Sequence, residues 1–174
     1  MIFIQDIWEG VRDFMELGGV VLWFIFVLLS VMWTLIFERI WYYKMGLQKE
    51  LDASLSIWNK RPERKSKRAH QVRDKLLSQI SIRINQYLPL IKTLVALSPL
   101  FGLLGTVTGM ISVFETMAIT GGGDAKAMSS GVSMATIPTM AGMVTALSGV
   151  FGFTYIQGLA KKKKRLLENR LTLE

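Results

Sequence analysis

The chain has no cysteine, and its single histidine, His70, lies in a charged stretch. The first absence excludes a disulfide framework and thiolate chemistry. The second excludes histidine-based metal or triad chemistry inside the apolar segments. Proline occurs only at Pro62, Pro89, Pro99 and Pro138. Charge is missing altogether from three runs, residues 17–37, 93–114 and 127–160. Nothing in or near these runs pairs a nucleophile with a base or gathers metal ligands, which argues against an enzyme and against a bound metal or cofactor.

What the chain does have is apolar length. Hydrophobic residues make up 51% of its 174 residues, and its mean hydropathy is +0.35. Run 17–37 would span about 31 Å as a helix at about 1.5 Å per residue, matching a hydrocarbon core of about 30 Å. Run 127–160 is too long for one straight crossing, so the third span is read as 134–156 and residues 120–133 as a loop. With 93–119 as the second span, the chain is an all-α membrane protein with three transmembrane helices.

Charge sets the expected orientation. Residues 44–92 hold twelve Lys/Arg against four Asp/Glu, and the tail from Lys161 holds six against two. The first sixteen residues carry Asp6, Glu9, Asp13 and Glu16 against Arg12. Basic segments stay on the cytoplasmic side. That puts 38–92 and the 157–174 tail in the cytoplasm, with the N-terminus and the 120–133 loop on the opposite face. An acidic start is the reverse of a secretory n-region, so the first span reads as an uncleaved anchor. This topology accounts for the net charge of +8 without nucleic acid.

Residues 1–16 alternate apolar and acidic positions at helical spacing and read as an amphipathic interfacial helix. After the first span, Glu38-Arg39 and Trp41-Tyr42-Tyr43 form an interface anchor. Ile40, Tyr43, Leu47, Leu51, Leu55 and Trp58 keep a helical period until Arg61-Pro62. The period returns at Val72, Leu76, Ile80, Ile84 and Ile91, so 38–92 reads as a cytoplasmic helical hairpin. Its second arm is expected to run straight into the second span as a rod kinked at Pro89 and Pro99. Thr120-Gly121-Gly122-Gly123-Asp124 is a turn; the strand and Gly-Lys-Ser/Thr that a phosphate loop needs are missing. Lys161, Lys162, Lys163, Lys164 and Arg165 form a stop-transfer anchor and a contact for anionic lipid heads.

The second span carries Gly102, Gly105 and Gly109, which expose backbone for close helix packing, together with Thr106 and Thr108. In the third span Ala135, Gly142 and Gly149 recur every seven residues, as do Thr139 and Ala146. Pro138 frees a carbonyl that a hydroxyl could satisfy. Helices this polar either pack on protein, with their threonines bonded back to backbone, or line an aqueous path.

Pro99-Leu100-Phe101-Gly102-Leu103-Leu104-Gly105-Thr106-Val107, the segment Gly131-Val132-Ser133-Met134-Ala135-Thr136-Ile137-Pro138-Thr139-Met140-Ala141-Gly142 and the Glu38-Arg39 pair together resemble the ExbB, TolQ and MotA family, and ExbB within it. MotA itself is disfavoured, since it has four spans. The resemblance implies a homo-pentamer in the bacterial inner membrane, its pore lined by spans two and three. The pore would hold the transmembrane helices of an ExbD-like partner, whose aspartate is protonated and released as protons cross. That movement would energise a TonB-like protein and, through it, outer-membrane import of iron chelates. Thr106 and Thr139 are the family positions expected on the proton path. The family often has a glutamate where this chain has Met134, which cannot titrate. A TolQ-like role in envelope maintenance is the alternative within the family, and a non-conducting membrane scaffold is the alternative outside it.

Overall fold

A computed structural model describes residues 9–10, 12, 14–15, 18–59, 67–121 and 125–170. The expected 60–66 break, residues 122–124 of the 120–124 glycine turn and most of the interfacial helix 1–16 lie outside the described residues. The elements in chain order are α1 (Gly19–Trp41), a π-helical turn (Tyr42–Gly46), α2 (Leu47–Asn59), α3 (Lys67–Asn85), α4 (Leu88–Thr120) and α5 (Ala125–Arg170). Three stretches, Gly19–Gly46, Lys67–Ile119 and Met134–Arg170, contain helix long and apolar enough to cross a membrane. The chain is all-helical among its described residues, as the periodicity requires.

Three details depart from the sequence reading. First, α5 starts at Ala125, so most of the segment expected as loop 120–133 is helix. Ala125, Lys126, Ala127 and Met128 are strong helix formers, and a helix can begin well before it enters lipid. The same helix runs on to Arg170 and carries the basic residues that the sequence placed in a tail.

Second, the expected rod through Pro89 is broken. Helix α3 ends at Asn85, Tyr87 takes a left-handed φ of 66°, and α4 begins at Leu88. Pro89 therefore sits in the first turn of a new helix, where its missing N–H removes no bond. Leu88, the residue before it, is steered away from a helix interior. Pro99 and Pro138 do lie inside α4 and α5. Third, the helix after α1 widens into the π turn, which no sequence period announces.

The chain divides into two compact units, residues 1–32 with 93–150, and residues 33–92 with 151–174. In the first, Leu22, Ile25, Leu28, Met32, Val113 and Ala135 are buried, together with the polar Ser98 and Thr145. Its outward positions, among them Phe24, Val27, Leu103, Val107, Val144 and Leu147, are exposed and apolar, a surface suited to lipid or another subunit. In the second, α3 buries Ala69, Leu76, Ile80 and Ile84 along one stripe, beside the buried Ile36, Tyr43, Leu47, Trp58 and Leu167.

Candidate functional site

Small residues bring α4 and α5 together backbone to backbone. A Cβ added at Gly142 would lie 2.7 Å from the Ser98 carbonyl oxygen and 3.0 Å from the Gly102 Cα. One added at Gly102 would lie 3.0 Å from both the Pro138 carbonyl oxygen and the Thr139 Cα. The ring of Pro138 occupies the notch at Gly105, and Ala135 fills the one at Gly109. Gly149 faces Met32 of α1 and Val95 of α4. The seven-residue stripe Ala135, Gly142, Gly149 is thus a contact line within the chain.

In this seam the hydroxyls of Thr139, Thr106 and Thr108 donate to main-chain carbonyls. Thr139 Oγ1 crosses it and donates to the Gly102 carbonyl at 3.0 Å. Thr106 Oγ1 donates to Leu103 at 2.7 Å, and Thr108 Oγ1 to Gly105 at 3.1 Å, within α4. Thr106 lies one turn beyond Gly102, so the two predicted threonines come to the same stretch of seam. Both are half-buried. A hydroxyl that donates its proton to a carbonyl keeps lone pairs that can accept another hydrogen bond. No acid lies within the seam: Glu115 is exposed, more than two turns beyond Thr106, and Met134 is 38% exposed next to the buried Ala135. Among the described residues no three His, Cys, Asp or Glu side chains are placed to hold a metal ion.

The second unit contains an arrangement that the sequence reading did not find. Arg39, expected as part of an interface anchor, is 3% exposed. Its Nε lies 2.9 Å from Glu38 Oε2, and its Nη1 donates to the Arg83 carbonyl at 3.3 Å. Its guanidinium lies over the rings of Tyr87 at 4.6 Å and Tyr42 at 5.1 Å. Tyr43 donates its hydroxyl to the Ile84 carbonyl at 2.6 Å. Glu50 accepts from Tyr42 at 3.1 Å and pairs with Arg83 at 2.6 Å. The signal that could have found this is one of residue type: tyrosines at 42, 43 and 87, and a proline two residues after the last. Lys161, Lys162, Lys164 and Arg165 are exposed, whereas Lys163 Nζ reaches Gln48 Oε1 at 3.5 Å.

Residues 41–169 match the MotA/TolQ/ExbB proton channel family. The biopolymer transport protein ExbB-like 1 of Synechocystis sp. is 42% identical over 77 residues, covering 42% of this chain and 30% of that protein. The biopolymer transport protein exbB1 of Vibrio cholerae is 33% identical over 90 residues, 51% of this chain and 40% of its own. The biopolymer transport protein ExbB of Helicobacter pylori is 29% identical over 77 residues, 44% and 53% respectively. The matches thus span from under a third to about half the length of these relatives. The matched residues include α4, the seam and most of α5, and on that basis the chain belongs to the MotA/TolQ/ExbB proton channel family, within which it is of the ExbB type.

Proposed function

We propose that this chain is the channel subunit of a proton-driven motor in a bacterial inner membrane, assembled as a homo-oligomer around the helices of an ExbD-like partner. The observation that carries the reading is the acid-free seam on which Thr139 bonds the Gly102 carbonyl and Thr106, one turn further along α4, bonds that of Leu103. Proton passage through a dry region needs a protonatable group. A carboxylate there is expensive enough that a group delivered by a partner is the natural source. Each threonine hydroxyl can accept a hydrogen bond from a protonated carboxyl, or turn to donate to the ionised form. A proton crossing the full potential releases about 2.3 kcal/mol per 100 mV, so a few could shift one helix set against another. The pentamer and the TonB-like recipient follow the family resemblance, the periplasmic N-terminus and cytoplasmic C-terminus follow the charge asymmetry, and the basic run 161–165 is suited to anionic lipid heads. The relatives' names favour an ExbB role over a TolQ-like one.

The test is iron-chelate uptake in cells lacking their own ExbB, supplied with this chain and its ExbD-like and TonB-like partners. Wild type is compared with Thr106→Val and Thr139→Val, with assembly checked by co-purification. Uptake in wild type that is lost in assembled variants supports the reading. Unchanged uptake in both variants returns the threonines to packing. An assembled wild-type complex without uptake points to a TolQ-like recipient.

A further inference from the structure

We infer that Arg39 is a positioning residue, the pin of a joint that holds the left-handed break between α3 and α4. The break itself poses the problem. Tyr87 has φ 66°, a region that an aromatic L-residue enters only when its surroundings impose it. The end of α3 adds a second difficulty, because the last carbonyls of a helix have no partner within it.

Arg39 answers both. Its Nη1 donates to the Arg83 carbonyl at 3.3 Å, which otherwise accepts only the Gln86 N–H at a long 3.4 Å, and its guanidinium lies 4.6 Å from the centre of the Tyr87 ring. A cation there also favours the negative end of the α3 dipole. Tyr43 takes the next carbonyl, that of Ile84. The π turn Tyr42–Gly46 carries Tyr43 and also Tyr42, whose ring lies 5.1 Å from the same guanidinium. Gly46 leaves room for it, since a Cβ there would lie 2.8 Å from Tyr42 Cδ2. Two irregular backbones, the π turn and the left-handed residue, are therefore joined through one buried guanidinium. Lysine could not replace it, since an ammonium has neither the flat face for two rings nor the fork that reaches a carbonyl at the same time.

Hydrogen exchange on the purified full-length chain in detergent tests the joint, comparing amides 84–91 with amides 100–113. Arg39→Gln is expected to raise exchange at 84–91 by about tenfold or more and to leave 100–113 unchanged, and Arg39→Lys should behave the same way. Tyr87→Gly, which enters positive φ freely, should keep wild-type protection and, in the Arg39→Gln background, restore most of what was lost. Should Arg39→Gln not accumulate, Tyr87→Ala and Tyr87→Gly decide: alanine should raise exchange at 84–91 and glycine should not. Equal exchange in those two variants, no local change in Arg39→Gln, or a rise that extends equally through 100–113 would overturn the joint.

Discussion

Thr139 donates its hydroxyl to the carbonyl of Gly102, 3.0 Å away on the neighbouring helix. This is a side-chain bond between two candidate spans, made to a carbonyl that α4 already uses internally. Thr139→Ser should keep it, and Thr139→Val should lose about 0.6 kcal/mol and at most about 1.7 kcal/mol of stability, the range for such bonds in membrane helices. Thermal unfolding of the detergent-solubilised chain measures this. A loss confined to that range leaves any large defect in uptake to be assigned to the hydroxyl's work on the proton path.

The glycines differ in what they face. A methyl group at Gly142 meets main-chain atoms of Ser98 and Gly102 that cannot swing aside. Gly142→Ala should therefore push α4 and α5 apart and lower stability by about 1–3 kcal/mol. Gly158, also helical, has nothing within 4 Å of its would-be Cβ. Gly158→Ala should be neutral or stabilising by up to about 1 kcal/mol through helix propensity. Melting temperatures of the two variants, side by side, check the contrast.

Tyr43 is 1% exposed and its hydroxyl caps the Ile84 carbonyl. Tyr43→Phe keeps the ring and leaves that carbonyl without its cap, a change expected to lower stability by about 1–3 kcal/mol. Denaturant unfolding of wild type and variant in the same detergent gives the difference.

Arg83 contributes to the joint mainly through its backbone. Its side chain is 62% exposed and pairs with Glu50, an exposed ion pair that contributes no more than about 1 kcal/mol. Arg83→Ala should accordingly be mild and its effect should shrink further in salt, because the carbonyl that Arg39 uses survives the substitution. Unfolding at low and high salt tests this; a loss as large as that of Arg39→Gln would show that the side chain, not the carbonyl, holds the joint.

Much of the architecture is legible along the chain because lipid makes simple demands. Runs of twenty or more uncharged residues leave few alternatives to membrane-crossing helices. The stripe Leu76, Ile80, Ile84 is legible for a similar reason, since a helical face must be apolar to be buried. The start of α5 is not legible in the same way, because the thickness of a bilayer divides the run 127–160 whereas helix propensity does not stop at the edge of lipid.

The helical class, the three apolar stretches, the small-residue rows on α4 and α5 and the threonines among them can all be read along the chain. These are properties of composition and period, which local chemistry dictates. Only the tertiary structure decided which hydroxyl crosses the seam, that the Arg39 guanidinium is buried beneath two tyrosine rings, and that Pro89 opens a helix instead of bending one. Each of these depends on partners far apart in sequence. Arg39 meets Arg83 and Tyr87, and Thr139 meets Gly102, and no local preference records a contact that exists only once the chain has brought them together.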